Sequence, residues 1–398
     1  MKASISSAKK LSAVFLAVLL VILTAVPALA GIIDPFKTPS VTVARHSRAE
    51  ISKRLHQTVF YSGNPYETAP NFNAPYSAGK INKATLDSAC DVLSTFRYVA
   101  GLNSVSINDS CQQLSQAAAV VNYCDESAWI SHYPQRPAGM DDALYDLGAK
   151  GSASSNLAAG YADINSAIMS WMDDTDSSNI VHLGHRRWCL SPVMQYTGFG
   201  IADNIYSMYA LDSSYNSNVD GIAWPAQDMP IEMWYDGAWS FSTYSYLPSD
   251  TTVTLKRARD GKTWTFSSSE ADGFFNLSNG SYGYMSCAIF MPDGLSVEQN
   301  DSFTVTLRAS GWNKPVSYNV GFFSAYGSEY GIKGDLDKDG KVTVSDARTA
   351  LRIAVSLDPS SSEAVAIGDM NGNNAVDVSD ARMILRTAVG LEDLIYTD

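Results

Sequence analysis

Residues 334–355 read GDLDKDGKVTVSDARTALRIAV and residues 368–389 read GDMNGNNAVDVSDARMILRTAV, one pattern written twice with its leading aspartates 34 residues apart. In the first copy Asp335, Asp337, Asp339, Thr343 and Asp346 set oxygen-bearing side chains at positions 1, 3, 5, 9 and 12 of a loop, with Gly340 at position 6 and Lys341 at position 7. In the second, Asp369, Asn371, Asn373, Asp377 and Asp380 fill the same places, Asn374 stands where the glycine was, and Ala375 holds position 7. A hard cation needs about six to eight oxygens, and alternate residues of a tightly wound loop point inward while position 7 lends its carbonyl. Asn374 fits the sharp turn because Asn enters the left-handed region more readily than most residues. The spacing is that of an EF-hand loop and predicts one calcium ion in each copy. Four carboxylates against three predict tighter binding in the first.

After each loop the apolar residues move to helical period, Ala347, Ala350, Leu351, Ala354 and Leu357 matching Ala381, Ile384, Leu385, Ala388 and Leu391. No comparable helix is expected before either loop, so the unit is a loop and its exiting helix, repeated. Over residues 331–398 this duplication resembles the type I dockerin, the module that joins enzymes to the cohesins of a cellulosome scaffoldin. The resemblance implies a cohesin-facing surface of Val344, Ser345, Ala347, Arg348, Leu351 and Arg352, or equally of Val378, Ser379, Ala381, Arg382, Leu385 and Arg386. Because the two faces read almost alike, it also implies docking either way round.

At the other end, Lys9 and Lys10 precede an apolar run from Leu11 to Val26, then Pro27 and Ala28-Leu29-Ala30. That order reads as a secretory signal peptide over residues 1–30, the small-residue ending arguing against an uncleaved membrane anchor. The formal charge of −13 becomes −16 once the leader's three lysines are gone. Such acidity disfavours a nucleic-acid partner and suits an extracellular protein with no membrane attachment. Five cysteines, Cys90, Cys111, Cys124, Cys189 and Cys287, are too few and scattered for a disulfide framework, and an odd number leaves one unpaired.

Residues 31–80 show no clear periodicity and are expected to form an extended lead-in. From Ile81 helical spacing begins, with Leu86, Ala89, Cys90, Leu93 and Phe96 followed by an amphipathic stretch from Cys111 to Asn122. Within residues 81–221 stand ISHYP around His132, SSNLAAG at 154–160 and LGHRRWCLSP at 183–192. Together these strings resemble the bacterial branch of the CAP superfamily of cysteine-rich secretory, antigen 5 and pathogenesis-related proteins. The resemblance implies an α-β-α sandwich with an open cleft holding two histidines and two acidic residues. By motif the histidines are His132 and His185, and one acid is Asp174, three residues after Trp171. Ser155 stands where the family has the other acid. The residues leave three readings open: a zinc ion at His132 and His185, a Ser155–His185–Asp174 nucleophile, base and orienter, or histidines that serve only as structural hydrogen-bond partners.

Residues 222–330 turn to alternating or continuous apolar runs between Asp-Gly and Asn-Gly turns, which predicts a small β-sandwich. Its aromatics, among them Trp234, Tyr235, Trp239, Trp264 and Trp312, are expected mainly in the core. The chain is therefore expected to be α+β and multidomain: a CAP sandwich, a β-sandwich and an all-α calcium module. Three functions compete: a cellulosome component presenting a CAP domain that binds a ligand or acts on protein, with cell-wall polysaccharide or protein as partner; a glycoside hydrolase; and a carbohydrate-binding or adhesion protein without catalysis.

Overall fold

The structure, a computed structural model, describes residues 37–41, 45–127, 129–326, 332–392 and 394–395. The expected leader at residues 1–30 lies outside the described residues. The lead-in is more ordered than its composition predicts. Ser47 and Glu50 form a reciprocal capping box that starts helix α1 (Arg48–Gln57), and Ile51 and Leu55 sink into the main core. Two short antiparallel segments, Tyr66–Thr68 and Lys80–Ile81, then lead into α2 (Lys83–Val99).

The region from α2 to residue 210 is layered as its motifs imply. A three-stranded antiparallel sheet of β1 (Ser155–Ala159), β2 (Phe199–Ala202) and β3 (Ile205–Tyr209) has the order β1-β3-β2. The two-residue alternation of a strand sorts its side chains. Phe199, Ile201, Tyr206 and Met208 belong to the core shared with α2 and α5 (Ile164–Asp173), whereas Ala202 and Ile205 pack with Ala119 and Val120 of α3 (Asp109–Cys124). With both faces covered, β2 is buried throughout and reads as a continuous apolar run.

Helix α3 sits unusually close to its neighbours because the facing positions carry no side chain. A Cβ on Gly200 would collide with the Ser115 carbonyl on the sheet side. On the other side α4 (Asp142–Ser152) brings Gly151 against the Leu114 carbonyl and Gly148 against Val121. These contacts replace side-chain interdigitation with backbone approach.

The β-sandwich forms as expected, from one four-stranded and one five-stranded sheet. The first contains β4 (Gly221–Trp224), β6 (Trp239–Thr243), β9 (Gly273–Ser278) and β10 (Ser286–Pro292), ordered β9-β10-β6-β4. The second contains β5 (Asp228–Pro230), β7 (Thr252–Arg257), β8 (Thr263–Phe266), β11 (Ser302–Arg308) and β12 (Val316–Phe323), ordered β8-β7-β11-β12-β5. Trp239 packs edge-on against Phe303 and Phe322 across the two sheets, and Trp264 is likewise buried. One continuous apolar core runs from Ile51 to Ala325, so the CAP-like layers and the sandwich are not two separate cores. The C-terminal helices draw on a core of their own, from Leu336 to Ile384.

The close approach of α3 generates a test. Gly151→Ala must push α4 off the Leu114 carbonyl, and urea unfolding is expected to show a loss of about 1–3 kcal/mol.

Candidate functional site: a histidine cleft and a two-loop acidic module

The short helix α6 (Gly184–Cys189) carries the motif GHRRWC and begins without a side-chain cap, because Leu183 before it is held at φ 46°, in the left-handed region, and fully buried. Its first N–H groups are satisfied from elsewhere. Asp174, in the left-handed conformation at the end of α5, accepts the His185 N–H at 2.9 Å and the Arg186 N–H at 3.3 Å through Oδ2. Through Oδ1 it accepts from His185 Nδ1 at 2.8 Å. The aspartate, one carbon shorter than the family's usual glutamate, therefore reaches the histidine.

His132 is fixed in the same sense, its Nδ1 donating to the Ser152 carbonyl at 2.8 Å. In its neutral form each ring then keeps Nε2 as an acceptor. His132, His185 and Asp174 line one open cleft of about 400 Å³, together with Trp129, Ser131, Leu157–Ala159, Tyr161, Ser170, Trp171, Asp176 and Asn179. Trp171 donates from Nε1 to the Leu157 carbonyl at 3.1 Å, and Asn156 donates to the His185 carbonyl at 3.0 Å, locking strand β1 to both helices.

Ser155 is not part of this arrangement. It is 5 % exposed, does not line the cleft, and its Oγ has no hydrogen-bond partner, because β1 carries only Leu157, Ala158 and Ala159 to the cleft surface. The structure keeps the His185–Asp174 pair at the cleft and does not bring Ser155 to the cleft surface beside it. Among the described residues, no third histidine, cysteine or carboxylate joins His132 and His185 within metal-ligating reach.

Sequence reasoning passed over the two residues after His185. Arg186 is 1 % exposed and donates to the carbonyls of Met172 (2.7 Å), Asp173 (2.5 Å) and Ala238 (2.6 Å). Arg187, equally buried, donates to the carbonyls of Gly280 (2.6 Å) and Tyr284 (2.9 Å) and to Ser278 Oγ (3.1 Å). Both fasten the helix that bears His185 to the sandwich. Ile180 and Leu183 meet Ala238, Cys287 and Ile289 at the same junction. His182 also turns to the sandwich, its Nδ1 lying 3.1 Å from Ser278 Oγ. All five cysteines are free thiols, and burial pushes Cys90, Cys111 and Cys124 up to about 11, which keeps them protonated and unreactive.

In the C-terminal module, helices α7 (Val344–Ala354) and α9 (Val378–Ala388) each follow one acidic loop. A seven-residue helix α8 (Ser362–Gly368), capped by Ser361, enters the second loop, where no helix was expected. Position 12 closes each loop: Asp346 Oδ1 accepts the Leu336 and Asp337 N–H groups, and Asp380 Oδ1 those of Met370 and Asn371. Backbone φ is positive at positions 4 and 6 of both loops, 60° at Lys338 and 85° at Gly340, then 78° at Gly372 and 65° at Asn374. The glycine lost at position 6 of the second copy is thus matched by one gained at position 4.

Oxygens of Asp335, Asp337 and Asp346 lie within 4.8 Å of one another. Burial, reinforced by Asp346 and Asp339, pushes the Asp335 carboxyl up to about 6 despite the Gly340 and Asp339 N–H groups. The donor set is all hard oxygen and negatively charged, and a divalent cation fits it.

Two residues expected on the docking face, Ala347 and Ala381, lie instead in the module's core at 7 % and 6 % exposure, since 3.6-residue spacing turns them beneath the helices. Conversely Leu351 and Leu385, written in step with the core residues, are 45 % and 41 % exposed. Val344, Leu351 and Val355 form one exposed stripe, and Val378, Leu385 and Val389 its counterpart. Ser345, Arg348, Arg352, Ser379, Arg382 and Arg386 are exposed beside them. Arg352 is paired with Asp358 and Arg386 with Glu392.

The cleft geometry generates a stability test. Asp174→Ala strands two helix N–H groups and the His185 ring, with an expected cost of about 3 kcal/mol in chemical denaturation. Nitrogen NMR is expected to find His185 as its Nδ1–H tautomer in the intact chain and as a mixture in the variant.

No curated protein and no solved structure matches the chain, and no helix among the described residues is long and apolar enough to cross a membrane. Residues 91–210, which hold the cleft histidines, Asp174 and the three-stranded sheet, match the model of the CAP family, the cysteine-rich secretory protein family, and the match supports a CAP superfamily protein.

Proposed function

We propose that this chain is an exported CAP protein carried on a calcium-dependent adaptor. The C-terminal module, similar to a type I dockerin, takes up two calcium ions and docks on a cohesin of a scaffoldin. It thereby holds the CAP cleft at the plant cell wall or cell surface, where the cleft binds a ligand in the setting of polysaccharide degradation. The observation that carries this reading is the paired geometry of the module: two loops closed alike by Asp346 and Asp380, each followed by a helix with an exposed apolar stripe flanked by Arg348 or Arg382. Equivalent stripes suit a partner that accepts either orientation.

Binding is favoured over hydrolysis at the cleft. Glycoside hydrolysis calls for two carboxylates flanking the bond, about 5–9.5 Å apart. The carboxylates lining this cleft, Asp174 and Asp176, come from one segment, and both are engaged in hydrogen bonds, Asp174 with the His185 ring and Asp176 with Ser178 and Asn179. Zinc at His132 and His185 would find two imidazole nitrogens and no third donor ready, fewer than the three protein ligands usual at zinc. A sugar-stacking face on the sandwich is disfavoured because Trp239 and Trp264 are core residues, Trp234 packs against Trp239 and Phe322, and Trp312 is partly buried against the core, whereas Tyr235, expected in the core, is 46 % exposed.

Isothermal calorimetry on the intact chain is expected to find two calcium ions per molecule. Asp335→Ala with Asp369→Ala should abolish that uptake and weaken capture on a cohesin-bearing scaffold by more than about ten-fold. Capture that persists in excess chelator contradicts the adaptor reading.

A further inference from the structure

The adaptor reading leaves open what the CAP cleft receives, and the side chains around it constrain the answer. With Nδ1–H of His132 spent on the Ser152 carbonyl and Nδ1–H of His185 on Asp174, each ring in its neutral form offers a lone pair at Nε2. Asp176 adds a carboxylate, held in place by Ser178 and by Asn179 Nδ2 at 2.7 Å. The lining is therefore rich in acceptors and carries negative charge, which suits a neutral ligand with many donors and repels an anionic one.

At the rim of the same cleft stands Trp129, 72 % exposed, with Tyr161, 38 % exposed, also lining it. A large indole left in water beside a polar cleft is a ready platform for a flat apolar face. An extended peptide that paired with the sheet from this cleft would use strand β1, the sheet edge that lines it. The outward carbonyl at the centre of that edge, Leu157 O, already accepts from Trp171 Nε1. Edge pairing is thus blocked at its middle, and the donors a peptide offers, one N–H per residue, are few for this lining.

We propose that the cleft binds a neutral glycan chain, one sugar ring stacked on the Trp129 indole and ring hydroxyls donating to Nε2 of His132 and His185. The proposal rests on reading the cleft as a ligand site and is independent of the calcium module. It places carbohydrate recognition on the CAP layers and leaves the sandwich as the scaffold behind them. Hydroxyl-to-imidazole bonds give orientation, and the indole gives contact area with little entropy to lose, since it has two side-chain torsions.

The test uses the intact chain in calcium-containing buffer, with cellohexaose, xylohexaose and chitohexaose as probes, polygalacturonate as an anionic comparator and a casein digest as a peptide comparator. Because Trp129 is the most exposed of the chain's 8 tryptophans, its fluorescence reports occupancy. At least one neutral oligosaccharide should bind with a fluorescence change, and polygalacturonate should not. Trp129→Ala should weaken binding by at least about ten-fold with its melting temperature unchanged, and His132→Gln and His185→Gln should weaken it as well. The proposal is overturned if none of the neutral oligosaccharides binds, if binding survives Trp129→Ala, or if it appears only after zinc is added. Peptide binding that depends on Trp129, without glycan binding, also overturns the ligand class while leaving the cleft a ligand site; failure of every probe removes both.

Discussion

Two guanidinium groups buried in consecutive positions, Arg186 and Arg187, tie the cleft helix to the elements on either side of it. A buried cation is costly unless its donors are met, and here most are met by backbone carbonyls that other elements present, with Ser240 and Ser278 hydroxyls beside them, while Arg187 Nε is left without a partner among the described residues. Arg186 reads the end of α5 and the start of β6, while Arg187 reads the loop between β9 and β10. The cleft histidine precedes them on the same short helix. Its position is thus set by carbonyls of the sandwich on one side and by Asp174 on the other, and the two halves cannot part without stranding both charges.

Arg97 extends the same device. It is fully buried and donates to the carbonyls of Asn103, Cys189, Ser191 and Met194, gathering the turn after α6 onto helix α2. Burial lowers the affinity of all three arginines for their protons, that of Arg97 to about 10. The cleft is in this sense a product of the sandwich as well as of the CAP layers. The C-terminal module follows a different rule: its core is small, Ala347, Ala350, Ile353, Ala381 and Ile384 among few others, and its first loop gathers the carboxylates of Asp335, Asp337 and Asp346. The proposed calcium ions would add folding free energy to so small a core.

Much of this was legible in the residues, and the lapses have physical causes. The ligand spacing of the loops and the strings around His132 and His185 were readable because loop and cleft chemistry tolerate few residue types. Helix α1 falls within the stretch expected as extended lead-in because, with Ile51 and Leu55 its only buried apolar residues, it leaves a faint periodic signal. Arg186 and Arg187 gave no sign of burial, since charged residues are buried only when tertiary structure supplies their partners. Leu351 and Leu385 show the limit of periodicity: each follows an alanine or isoleucine that faces the core, and with neighbours about 100° apart around a helix the small core of this module covers the first and leaves the second exposed. Ser155 matched a motif position, yet where the cleft begins along β1 is settled by packing.

The central claim is that the CAP-like layers and the sandwich form one cooperative body with a continuous core fastened by buried arginines, and that the C-terminal loops, on the reading proposed above, form a second body stabilised by a divalent cation. Differential scanning calorimetry of the intact chain, with calcium and then with excess chelator, tests it most directly. The account predicts two transitions, of which the larger keeps its midpoint in chelator and the smaller is lost. Separate transitions for the CAP layers and the sandwich, or a C-terminal transition indifferent to chelator, would contradict it.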